Sequence, residues 1–102
     1  METSYLSGMT LPEFIASLQS AEPPHGLQPA LTAMWWDGKG DWDMAHDIAQ
    51  EMAGSTGSYI HAYLHRKEGD LGNAAYWYSR AGRSLPKVSL QEEWSQIVAE
   101  LL

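Results

Sequence analysis

At 102 residues the chain has room for one domain and one core, burying roughly 60–65% of the surface its unfolded form exposes. Hydrophobic residues make up 44% and charged residues 19%, the balance of a soluble globular chain, and no apolar stretch approaches the ~20 residues of a membrane-spanning helix. Thirteen acids against six bases leave a net charge of −7, which argues against nucleic-acid binding, since that draws most of its affinity from neutralised phosphates.

Leu11, Phe14, Ile15 and Leu18 recur at helical spacing, with Thr10 and Glu13 placed as a capping box and Pro12 tolerated in the first turn, so a helix is predicted over 10–20. Ala21 to Gly26, with two prolines, reads as a linker. Leu31, Met34 and Trp35 mark a second helix from about Pro29 to Asp37, stopped by Gly38-Lys39-Gly40. Asp41 is placed to cap a third, reaching about Ala53 before Gly54. A fourth is predicted from about Ser58 to Glu68, closed by Gly69, and Asp70 caps a fifth running to Ala81. On that fifth helix Leu71, Ala74, Ala75 and Tyr78 share one face, the expected core face. After a turn holding Pro86, Ser89 and Glu92 form a second capping-box spacing, and Leu90, Trp94, Ile97, Val98 and Leu101 carry the last stripe, over 89–102. The expected fold is therefore all-α with six helices in a single domain over 1–102.

Within this order one signal occurs twice. Gly40-Asp41-Trp42-x-x-Ala45 and Gly69-Asp70-Leu71-x-x-Ala74 are offset by 29 residues, and Ala33 and Ala62 match at the same offset. Each copy specifies a helix, a tight turn that uses glycine, an Asp cap, and a helix whose alanine permits close approach. Two antiparallel hairpins follow, over 29–53 and 57–82, with the terminal helices as caps.

Gly69, Asp70, Leu71, Ala74, Tyr78, Ala81 and Pro86 stand where a tetratricopeptide-type repeat places its Gly-Asp-hydrophobic, small, aromatic, small and proline positions. The second hairpin thus resembles that repeat in its second helix, while the Trp and Leu-Gly signature of the first helix is absent. The resemblance implies protein or peptide binding. The strings WWDGKGDWDMAHDIAQ and HAYLHRKEGDLGNAAYWYSRAGR are also similar to a family of small bacterial proteins, which implies no particular activity.

The candidate chemistry is confined to a few residues. His61 and His65 lie four apart on one helix face, a spacing able to chelate a divalent ion, but Ala62 stands where a zinc-protease helix carries its general base. An antiparallel third helix brings His46 level with His65, flanked by Asp43 and Asp47, so a His46, His61, His65 and Asp cluster between helices is geometrically open. Asp41 and Asp43 are otherwise accounted for as a cap and a first-turn acid. Gly54-Ser55-Thr56-Gly57-Ser58 lacks the spacing of a phosphate loop. Tyr76 projects off the predicted core face near Arg80, Trp77 sits at its edge, and Trp36 flanks the second stripe. Off-stripe aromatics beside arginine are residue types that anchor interfaces.

The leading expectation is a non-enzymatic binding or scaffold module whose groove is lined by His46, His61, His65, Arg66, Trp36 and Trp77, with Tyr76 and Arg80 contributing. Its partner would be a protein or peptide, a second copy of the chain included, with neither membrane nor nucleic acid, and no cofactor or catalytic residue is nominated. The alternative is a small metal- or ligand-binding protein or enzyme built on the three histidines with Asp43 and Asp47. Absence of cysteine suits a reducing cytoplasm, and METSYLSGMTLPEF lacks the basic-then-apolar order of a secretory leader.

Overall fold

A computed structural model describes residues 9–102; the stretch read against a leader lies, through residue 8, outside the described residues. Six helices and no strand occur among the described residues: α1 (Leu11–Ser17), α2 (Pro29–Gly38), α3 (Trp42–Gln50), α4 (Gly54–Lys67), α5 (Leu71–Arg80) and α6 (Leu90–Leu101). Both predicted capping boxes form. At α1 the Thr10 hydroxyl accepts the Glu13 backbone N–H at 3.2 Å while the Glu13 carboxylate accepts the Thr10 N–H at 2.8 Å, and Ser89 with Glu92 repeats the device at α6.

The two Gly-Asp turns share one geometry. Gly40 and Gly69 both take φ +90°, a left-handed conformation that glycine reaches without a Cβ clash. Asp41 N–H then bonds Trp36 O at 2.9 Å and Asp70 N–H bonds His65 O at 3.0 Å, while the two carboxylates accept Met44 N–H and Asn73 N–H at 3.0 and 3.2 Å. Each turn reverses the chain, so α2 packs antiparallel on α3 and α4 on α5, and α3 packs on α4 to join the hairpins. Ala33, Ala45, Ala62 and Ala74, the small positions of the duplicated signal, are all fully buried. Helix α6 lies against α2 and α4, and α1 rests on α6, closing a core that contains Phe14, Met34, Trp35, Ile60, Leu64, Ile97 and Val98.

Two expectations change. Helix α4 starts at Gly54 rather than near Ser58, because Gly57 lies directly on Met52: a Cβ at Gly57 would come within 2.8 Å of the Met52 Cβ and carbonyl oxygen. The Gly-Ser run is thus the first turn of a helix chosen for close approach. On α5, Ala74 and Tyr78 are buried as predicted, but Ala75 is exposed and Leu71 is 55% exposed. Among the described residues α4 is the one helix whose backbone packs on that of α5, which leaves the outer flank of α5 exposed.

Two buried carboxylates tie the helices together. Asp37 on α2 accepts the Tyr63 hydroxyl at 2.7 Å and Lys67 Nζ at 2.9 Å. Glu93 on α6, 1% exposed, accepts the Tyr78 hydroxyl at 2.6 Å and Arg66 Nη1 at 2.8 Å. Burial and these carboxylates push the Tyr63 and Tyr78 phenols far above their ordinary range, so both remain hydrogen-bond donors. With each acid partnered, both networks satisfy the rule that buried charge is paired.

Candidate functional site

Where α3 meets α4, three imidazoles converge. His61 and His65 lie one turn apart on the face of α4 that α3 covers, each 8% exposed, and half-buried His46 reaches them from α3. Ring centroids stand 4.6 Å apart for His46–His61, 5.2 Å for His46–His65 and 4.9 Å for His61–His65. His46 Nε2 and His61 Nε2 are 2.9 Å apart, so one donates its proton to the other. His65 is oriented differently: its Nδ1–H donates to Glu68 Oε2 at 2.6 Å, leaving Nε2 as its other ring nitrogen. One ligand-capable atom from each ring lies within 4.8 Å of the other two.

Indoles close the cluster on two sides. Trp42 stacks on His46 at 4.8 Å and 11° and meets His65 edge-on at 6.0 Å, fixed by its Nε1–H to Leu64 O at 2.8 Å. Trp77 of α5 stacks on His61 at 4.1 Å and 19°. Loss of water around the ring, then the neighbouring His46 and His65, lowers the His61 pKa from 6.5 to about 4. At neutral pH His61 is therefore an uncharged imidazole.

Beyond Trp77 the outer flank of α5 forms a shelf. Tyr76, 54% exposed, stands edge-on to Trp77 at 5.2 Å. Arg80 lies over Trp77 at 5.4 Å and Tyr76 at 5.8 Å, and its Nη1 donates to the Tyr76 hydroxyl at 3.2 Å. Arg66, Lys67 and Arg83 each pair with a carboxylate at 2.8–2.9 Å; Arg80 has no such pair among the described residues.

Of the residues singled out in the sequence, His46, His61, His65 and Trp77 come together, and Tyr76 and Arg80 adjoin them. Asp43 and Asp47 stay exposed on α3 and are not among the groups that meet the imidazoles. Arg66 points away, held by Glu93 and by the Val88 carbonyl, and so works inside the fold. Trp36 stands edge-on to Trp35 at 5.0 Å and packs on the core. Trp42 and Glu68 were missed, although each shares a helical face with its histidine: Trp42 lies four residues before His46, and Glu68 three after His65.

A separate groove of about 390 Å³ lies between α1, α2, α4 and α6, lined by Leu18, Tyr63, Lys67 and Trp94 among others. Its buried acid, Asp37, already has both oxygens engaged by Tyr63 and Lys67, so the groove presents no comparable set of convergent donors. No helix among the described residues is long and apolar enough to cross a membrane. No protein-family model, curated protein or solved structure matches the chain.

Proposed function

We propose that the protein is a non-enzymatic binding module that docks a carboxylate-bearing protein or peptide segment on the α5 shelf of Tyr76, Trp77 and Arg80. The observation that carries this reading is Arg80: a guanidinium held over two aromatic faces and, among the described residues, with no acid paired to it, while Arg66, Lys67 and Arg83 each have one. A partner carboxylate can form the two-pronged hydrogen bonds that guanidinium geometry favours, and the exposed Tyr76 ring supplies apolar contact beside it. Reading the two Gly-Asp hairpins as tetratricopeptide-like agrees with such a role. The cysteine-free composition fits a cytoplasmic setting.

The test is a fluorescence-polarisation titration with peptides rich in Asp and Glu, set against the same peptides carrying Asn and Gln. Saturable binding of the acidic set, weakened at least about tenfold by Tyr76→Ala with Arg80→Ala at unchanged helical circular dichroism, is expected. Equal affinity for both peptide sets, or an unaffected double variant, rejects the reading. Because the chain itself is acidic, light scattering across concentration distinguishes a second copy as the occupant, and a dimer dissociated by the same substitutions would replace the peptide.

A further inference from the structure

We propose that His46, His61 and His65 form an open three-histidine site for one divalent transition-metal ion of the zinc, nickel and copper group. This goes beyond the docking shelf, since it needs the imidazoles and neither Tyr76 nor Arg80.

The donor set selects the ion class. Three ring nitrogens suit zinc, nickel or copper, whereas calcium and magnesium take oxygen ligands. A metal–nitrogen bond of about 2.0–2.1 Å requires ligand nitrogens roughly 3.0–3.4 Å from one another. His46 and His61 already stand 2.9 Å apart, and the three ligand atoms all lie within 4.8 Å, so ring rotations of about 1–1.5 Å complete the set. The ligands are also held in the manner of metal-site histidines. Glu68 accepts the Nδ1 proton of His65 and so directs Nε2 to the ion, and the Trp42 and Trp77 faces fix the planes of His46 and His61.

Among the described residues His46 and His61 hydrogen-bond only each other, an unusual state for an imidazole as buried as His61. A metal resolves it. The proton shared between the two Nε2 atoms moves, through solvent, to Nδ1 of the ring that carried it, and both lone pairs turn to the ion. Half-buried His46 leaves one side open, so the fourth coordination position goes to water or to an incoming ligand.

Untagged protein, stripped with a chelator and exchanged into chelator-free buffer, is titrated with zinc, nickel and copper(II) salts by calorimetry, with calcium and magnesium as controls. One equivalent of a transition ion is expected to bind, raising Tm by about 10 °C at a hundredfold excess over Kd. His46→Ala and His61→Gln should each weaken binding at least about tenfold, Glu68→Gln by about tenfold, and His25→Ala, outside the cluster, by nothing. Nitrogen-15 NMR of the unaltered protein covers the case in which a variant fails to fold: zinc should shift the ring resonances of His46, His61 and His65 and leave those of His25 in place. Uptake retained in a folded His46→Ala variant, ring resonances unmoved by zinc, or calcium bound as well as zinc overturns the site. The peptide titration is independent, so loss of the metal site leaves the docking reading to stand or fall separately.

Discussion

Glu93 offers the sharpest energetic test of the fold. Its carboxylate is 1% exposed and receives the Arg66 guanidinium at 2.8 Å and the Tyr78 hydroxyl at 2.6 Å, joining α6 to α4 and α5. Glu93→Ala strips two strong hydrogen bonds and strands a half-buried cation beside a buried phenol. Removing one partner of a buried pair costs about 3–5 kcal/mol, and the lower end applies here because Arg66 keeps its bond to the Val88 carbonyl. A loss of about 3 kcal/mol in a domain of this size lowers Tm by about 12–15 °C and removes a large share of a total near 5–15 kcal/mol. Tyr78→Phe deletes only the phenol bond and should cost about 1–2 kcal/mol. Because the two changes share one carboxylate, their sum should exceed the loss in the double variant by at least about 0.5 kcal/mol. Urea unfolding followed by far-ultraviolet circular dichroism measures all three. A Glu93→Ala loss below about 1 kcal/mol at unchanged denaturant slope would refute the buried clamp.

Two further outcomes follow from the turns and from the imidazoles. Gly69→Ala forces a Cβ into φ +90° and should destabilise by about 1–2 kcal/mol, whereas Gly72→Ala, with open space around it inside α5, should stabilise by about 0.5–1 kcal/mol; a shared sign contradicts the turn geometry. For His61 the folded pKa lies near 4 against 6.5 when unfolded, so between these values the unfolded chain binds a proton that the folded chain, with His46 and His65 facing the ring, refuses. Metal-free protein should therefore lose stability as pH falls from about 6.5 to about 4, and His61→Gln should flatten that slope. Parallel curves for the two proteins across the window would exclude the assignment.

Local chemistry made much of this legible. Thr10, Asp41, Asp70 and Ser89 cap the helices they were read to cap, since a cap involves residues at most three apart. The i, i+4 pair of His61 and His65 fixed a shared face, and a tight hairpin brought His46 to it. What escaped was set by distant partners. Arg66 was assigned to the groove because its acid, Glu93, lies 27 residues away with no local mark. Trp42 occupies the slot that Leu71 fills in the second copy, and the sequence marks it only as part of that repeated signal. In α3 that slot is covered by α4 and meets His65; in α5 it faces outward, which explains why Leu71 is exposed. The early start of α4 was hidden because Gly and Ser favour turns, and only the approach of Gly57 to Met52 gives them another purpose.

Arg66 and Lys67 adjoin each other at the end of α4, yet one is anchored to Glu93 on α6 and the other to Asp37 on α2. Successive residues on a helix point about 100° apart, so these two tethers fix the roll of α4 about its own axis. At the ~6 Å reach of an imidazole from that axis, ten degrees of roll displaces the ring by roughly 1 Å, a tolerance comparable to that of a ligand set. The alignment of His61 and His65 is thus governed from the two residues that follow His65 on the same helix, by anchors that touch neither ring. Mutations at Asp37 or Glu93 should accordingly detune the cluster before they unfold the domain.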